Sequence, residues 1–74
     1  MNLNPGNIYV FAPFNYEYNP ERNSKPFVGL YLDRIRESHW SASQFKVIGL
    51  NGIQFLWANR WSVDPVPEFV GEEP

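Results

Sequence analysis

Asn51-Gly52 stands between two apolar runs, with Phe45, Val47, Ile48 and Leu50 before it and Ile53, Phe55, Leu56 and Trp57 after it. Asn-Gly flanked in this way is the strongest short-range hairpin signal, because a type I′ turn needs positive φ at both central residues. The expected antiparallel hairpin runs from Gln44 to Trp57. A two-residue turn pairs Leu50 with Ile53, Ile48 with Phe55 and Lys46 with Trp57 on one face. Phe45, Val47, Leu56 and Ala58 fall on the other. Both faces are largely apolar, so one is expected to line a core and the other to be covered by a loop or a partner.

A chain of 74 residues is one domain, close to the lower limit at which a core holds together unaided. It has no cysteine, which excludes disulfides and thiolate metal sites. Packing must stabilise it, and the 18% aromatic content supplies large rings, each burying roughly 150–250 Å². The N-terminal residues carry no basic, then apolar, leader pattern. No apolar run approaches the roughly 20 residues of a membrane span, so the chain is expected in the cytoplasm. Six basic residues face four acids up to Val63, whereas Asp64, Glu68, Glu72 and Glu73 follow with no base among them. The body is faintly basic and the tail acidic.

Along the chain, Pro5-Gly6 predicts a turn that launches a strand in which Ile8, Val10 and Ala12 alternate with Tyr9 and Phe11. Pro13 stops it. The stretch from Pro13 to Pro26 is long for a loop, and Phe14, Tyr16 and Tyr18 predict that it folds back against the body. The second strand covers Phe27 to Glu37. Its Val28, Leu30 and Leu32 share one face, which if continued would bury Arg34 and Arg36 and turn Ile35 the other way. A bulge or bend near Asp33-Arg34 resolves the conflict. Ala58 to Trp61 suits a single 3-10 turn. A short strand from Ser62 to Val66 ends the domain, and Pro65 confines it to a sheet edge.

This order of elements resembles that of an SH3-like barrel: all-β, five strands, a long first loop, a tight Asn-Gly hairpin and a short 3-10 turn before the last strand. The resemblance covers residues 5 to 67, and it rests on Pro5-Gly6, Val28-Gly29-Leu30 and Asn51-Gly52. It implies a barrel domain over residues 1–67 and an acidic tail over 68–74. Tyr9 to Tyr16 is also similar to the Ala-Leu-Tyr-Asp-Tyr stretch of signalling SH3 domains. The Trp-Trp doublet of that family is absent, and Pro65-Val66-Pro67-Glu68 replaces its Pro-x-x-Tyr ending.

Fold alone does not assign function. Catalysis by a nucleophile and base would need His39, the only imidazole, and the neighbouring Ser38 and Ser41 read more simply as turn residues. No metal or cofactor is expected. SH3 domains bind extended ligands between aromatic side chains, and Tyr16, Tyr18, Trp40 and Trp61 form the expected partner-binding surface, with Arg34 and Arg36 as a secondary polar or anion contact. The expected function is a non-enzymatic protein-interaction module, of the kind found among phage and bacterial accessory proteins. A homodimer burying one hairpin face is expected too. The alternative is a barrel that binds single-stranded nucleic acid through Arg34, Arg36 and stacking rings. A sequence pI near 5.2 weighs against it.

Overall fold

Rings and aliphatic side chains alternate along most of the strand-forming segments, and that alternation gives the sheet two unlike faces. In the computed structural model, which describes residues 3–36 and 43–67, the strands are β1 (Ile8–Pro13), β2 (Phe27–Arg36), β3 (Ser43–Gly49), β4 (Gly52–Trp57) and β5 (Trp61–Pro65). They form one antiparallel sheet in the order β4-β3-β2-β1-β5. The described residues contain no helix, and therefore none long and apolar enough to cross a membrane. Trp40, His39 and the tail 68–74 lie outside the described residues.

The core takes the aromatic phase. Tyr9, Phe11, Tyr31, Phe45, Val47, Leu56 and Trp61 form one buried cluster, with Phe27 and Val63 packed against it. Phe11 stacks on Phe27 at 5.5 Å, and Phe27 meets Trp61 edge-on at 5.7 Å. Val28 is exposed, which places the Val28-Leu30 phase outward and corrects the expectation that it lines the core. Large rings bury more area per residue than Val or Ile, so a single small sheet fills its one interior with them. Gly29 makes room for this. A Cβ there would lie 3.0 Å from the Phe27 ring and 3.1 Å from the Ile48 carbonyl oxygen.

The first turn forms as expected: Asn7 N–H donates to the Asn4 carbonyl across Pro5-Gly6, with Gly6 at φ +93°. The hairpin forms as well, but not with the expected turn. Its register pairs Gly49 with Gly52, Ile48 with Ile53 and Phe45 with Leu56. Leu50-Asn51 therefore occupy the turn, and only Gly52 has positive φ, at +103°. Asn51 has no positive φ, so this is not a type I′ turn: the one left-handed residue is the glycine that follows the two turn residues, and the ladder beyond it is unbroken. The register differs by two residues, so each side chain keeps the face assigned from sequence.

The sheet is open. β4 and β5 are its two edges and no ladder joins them, so the closed barrel expected from sequence is not formed. Only Ala58, Asn59 and Arg60 separate these edges, with Arg60 N–H bonded to the Trp57 carbonyl in a turn. That one bond stands where a 3-10 turn was expected. Four steps of extended chain reach about 14 Å, whereas the edges of a flat five-stranded sheet lie about 19 Å apart. The sheet must curl until its edges approach at this corner.

Candidate functional site

The β2–β3 register slips between Tyr31 and Asp33, the bulge anticipated near Asp33-Arg34. Beyond it Arg34 pairs with Phe45 and Arg36 with Ser43, so both arginines share the side of buried Phe45 while Ile35 turns away with Gln44. β1 accompanies β2 from Phe27 to Leu30, and Gly6 and Asn7 just before it bond Tyr31, which leaves residues 32–36 of β2 without a ladder neighbour on that side among the described residues. The result is a cleft of about 750 Å³. Phe14, Tyr31, Phe45 and Trp61 contribute its aromatic walls, and Arg34 and Arg36 its charges. None of its described lining residues is acidic.

Arg34 is held in place. Its Nη2 donates to Ser43 Oγ at 3.1 Å and its guanidinium lies 5.5 Å from the Phe45 ring centroid. A cation over a ring face is favoured by the ring quadrupole, and among the described residues Ser43 is the one side-chain acceptor of this five-donor group. Burial, aided by the Asp33 carboxylate, pushes the Tyr31 phenol above its usual 10.0, with Arg34 opposing. The phenol therefore stays a neutral donor at physiological pH.

The first loop is tied down by Asn19, a residue that sequence reading passed over. Its side-chain amide is buried and donates to the Phe14 carbonyl at 2.6 Å and the Arg60 carbonyl at 3.1 Å. Its Oδ1 accepts from Glu21 N–H at 3.0 Å. Phe14 N–H also donates to the Arg60 carbonyl, and Tyr16 Oη donates to the Asn59 carbonyl. The loop is thus ordered against the 58–60 turn, as its aromatics implied, and Phe14 is positioned at the cleft. The signal available in sequence was Asn19-Pro20, since Asn before Pro commonly closes a turn with its side chain.

The residues singled out from sequence scatter. Arg34 and Arg36 meet in the cleft. Tyr16 and Tyr18 are exposed on the first loop and do not line it. Trp61 is only 6% exposed, which corrects its assignment as a free ring: it opens β5 on the inward phase, opposite Pro13 and edge-on to Phe27, and gives the cleft a wall. Sequence reading did not single out Phe14, Tyr31 or Phe45 as site residues. No group of three or more His, Cys, Asp or Glu side chains is placed to hold a metal ion among the described residues. Comparisons with protein-family models, curated proteins and solved structures give no match.

Proposed function

We propose that this chain is a non-enzymatic docking module whose cleft takes an acidic, apolar-bearing segment of another protein. One observation carries the reading: two guanidiniums stand beside aromatic walls in a cleft whose described lining has no carboxylate to neutralise them. Guanidinium–carboxylate hydrogen bonds are charge-assisted and can be bidentate, and each is worth about 1.5–3 kcal/mol. The rings supply apolar area and hold the ligand backbone. Strand order, the ordered first loop, the hairpin and the turn before β5 support an SH3-like reading of the sheet, with its ladder left open.

Trp61 in the cleft wall supplies the readout. Synthetic peptides of alternating Asp or Glu with Phe or Leu are titrated while Trp fluorescence is followed, beside basic counterparts and a single-stranded oligonucleotide. The acidic peptides should bind, and Arg34→Ala with Arg36→Ala should weaken binding at least tenfold while the circular dichroism is unchanged. Peptide affinity indifferent to both arginines would sink the assignment. Tighter oligonucleotide binding that falls steeply with salt would transfer the cleft to nucleic acid, since phosphate binding releases counterions.

A further inference from the structure

The chain beyond Pro67 is itself an acidic segment that bears apolar residues: Glu68-Phe69-Val70-Gly71-Glu72-Glu73. The sheet register fixes where it starts. Tyr9 pairs with Gly29 on one side and with Pro65 on the other, so β2 and β5 run in the same direction and Pro65 is level with Gly29. The chain therefore leaves β5 along the course that β2 takes to Arg34 and Arg36. Leu3 and Asn4 line the cleft on this side, and Asn4 N–H donates at 2.9 Å to the hydroxyl of Tyr9, the residue that Pro65 pairs with. Arg34 is five residues beyond Gly29 on β2 and two strands across from β5. That is about 16 Å by about 10 Å, or about 19 Å from Pro65. Glu72 is seven residues beyond Pro65, and seven extended residues span about 23 Å. Glu72 and Glu73 have the length to meet the arginines.

We propose that residues 68–74 dock in the cleft of their own chain as an autoinhibitory segment, Glu72 and Glu73 on Arg34 and Arg36, with Phe69 and Val70 against the ring walls. This rests on the docking reading, because the segment holds the place which that reading gives to a partner. Charge selects it. Up to Val63 bases outnumber acids by six to four, and the acids after it have no base among them. The arginines meet no carboxylate in the described lining of the cleft, so acids of the same chain within reach form charge-assisted pairs with them. A short tether holds its segment at an effective concentration of millimolar order. A segment that binds the cleft with a dissociation constant of about half a millimolar then raises that of a competing peptide about threefold. A partner must displace it, so weak acidic segments are refused and tighter ones enter.

Two measurements on the full chain test this. Glu68→Gln, Glu72→Gln and Glu73→Gln together remove the segment's charge and keep its length. That variant should bind the acidic peptides about threefold tighter than wild type in the Trp fluorescence titration. The chain has no cysteine, so Pro74→Cys takes a single nitroxide label. The label should broaden the amide resonances of Tyr31 and Phe45 more than that of Ile53, and Arg34→Ala with Arg36→Ala should abolish the difference. Equal peptide affinity of wild type and the glutamine variant, still dependent on the arginines, would overturn the segment's role and leave the docking reading standing. Peptides that bind neither chain would sink the docking reading, and broadening that still required the arginines would then support the segment as the ligand of the cleft. Uniform broadening would overturn the proposal. So would broadening passed from labelled chains to unlabelled ones mixed with them, which would assign the segment to a second copy.

Discussion

At the scale of single residues, Asn19 fixes more than any other polar side chain of the first loop. Its amide satisfies two carbonyls and its oxygen one N–H, tying the first loop to the 58–60 turn just beyond the Pro13–Trp61 end of the β1–β5 ladder. Asn19→Ala should cost roughly 1–3 kcal/mol, because the part-buried Phe14 carbonyl and Glu21 N–H lose this partner, while the Arg60 carbonyl keeps the Phe14 N–H. Asn19→Asp should cost more, since it would set a carboxylate against two carbonyl oxygens. Urea denaturation measures both. Tyr31 makes the second residue-scale prediction. Its folded pKa lies above 10.0, so the unfolded chain releases this proton first as pH rises. The stability tied to the neutral phenol is complete below pH 10.0 and is lost as pH climbs through the raised value. Tyr31→Phe should therefore flatten the alkaline fall in stability and leave the interval from pH 7 to 9 unchanged. An equal alkaline fall in both proteins would contradict the burial assigned to this phenol.

At the scale of elements, the hairpin shows how one dipeptide supports two geometries. Asn-Gly serves a type I′ turn at its two central positions, or it ends a turn with glycine alone in the left-handed region. The second needs one residue of positive φ instead of two, and here only Gly52 carries it. Nothing lies within 4 Å of a Cβ added at Gly52, so Gly52→Ala tests backbone strain alone and should cost about 1–2 kcal/mol. Asn51→Ala should stay within about 0.5 kcal/mol, as for an ordinary exposed turn position. Comparable costs at the two positions would restore the type I′ turn. The bulge in β2 is the other decisive local event. Without it Arg34 and Arg36 would lie on the outer, aliphatic face, and the cleft would have no charge.

At the scale of the whole molecule, the two faces of one sheet are unlike. The inward face gathers rings into a core whose unpaired end opens as the cleft, and the outward face presents exposed aliphatic side chains such as Ile48 and Ile53. Because the strands lie between them, Ile48→Lys with Ile53→Lys should leave peptide affinity intact in the fluorescence titration. A loss of affinity would show that the two faces are not separate.

Five strands, the ordered first loop and the edge position of β5 were legible in the sequence, because prolines, glycines and period-two alternation act locally. The bulge falls near Asp33 as expected, but with the phase before it reversed it turns Arg34 and Arg36 to the core side instead of away from it. Asn51-Gly52 marked the hairpin and its faces, while its register depended on which residues could bear positive φ. The inward phase of β2 was beyond local pattern. Tyr31 and Leu30 are both apolar neighbours on one strand, and only packing against Phe45, Val47 and Tyr9 selects the ring. The same holds for Trp61, whose burial follows from its place beside Phe27 across β1. Alternation determines that a strand has two faces. Where both are apolar, the space enclosed by the curled sheet decides which one is inside.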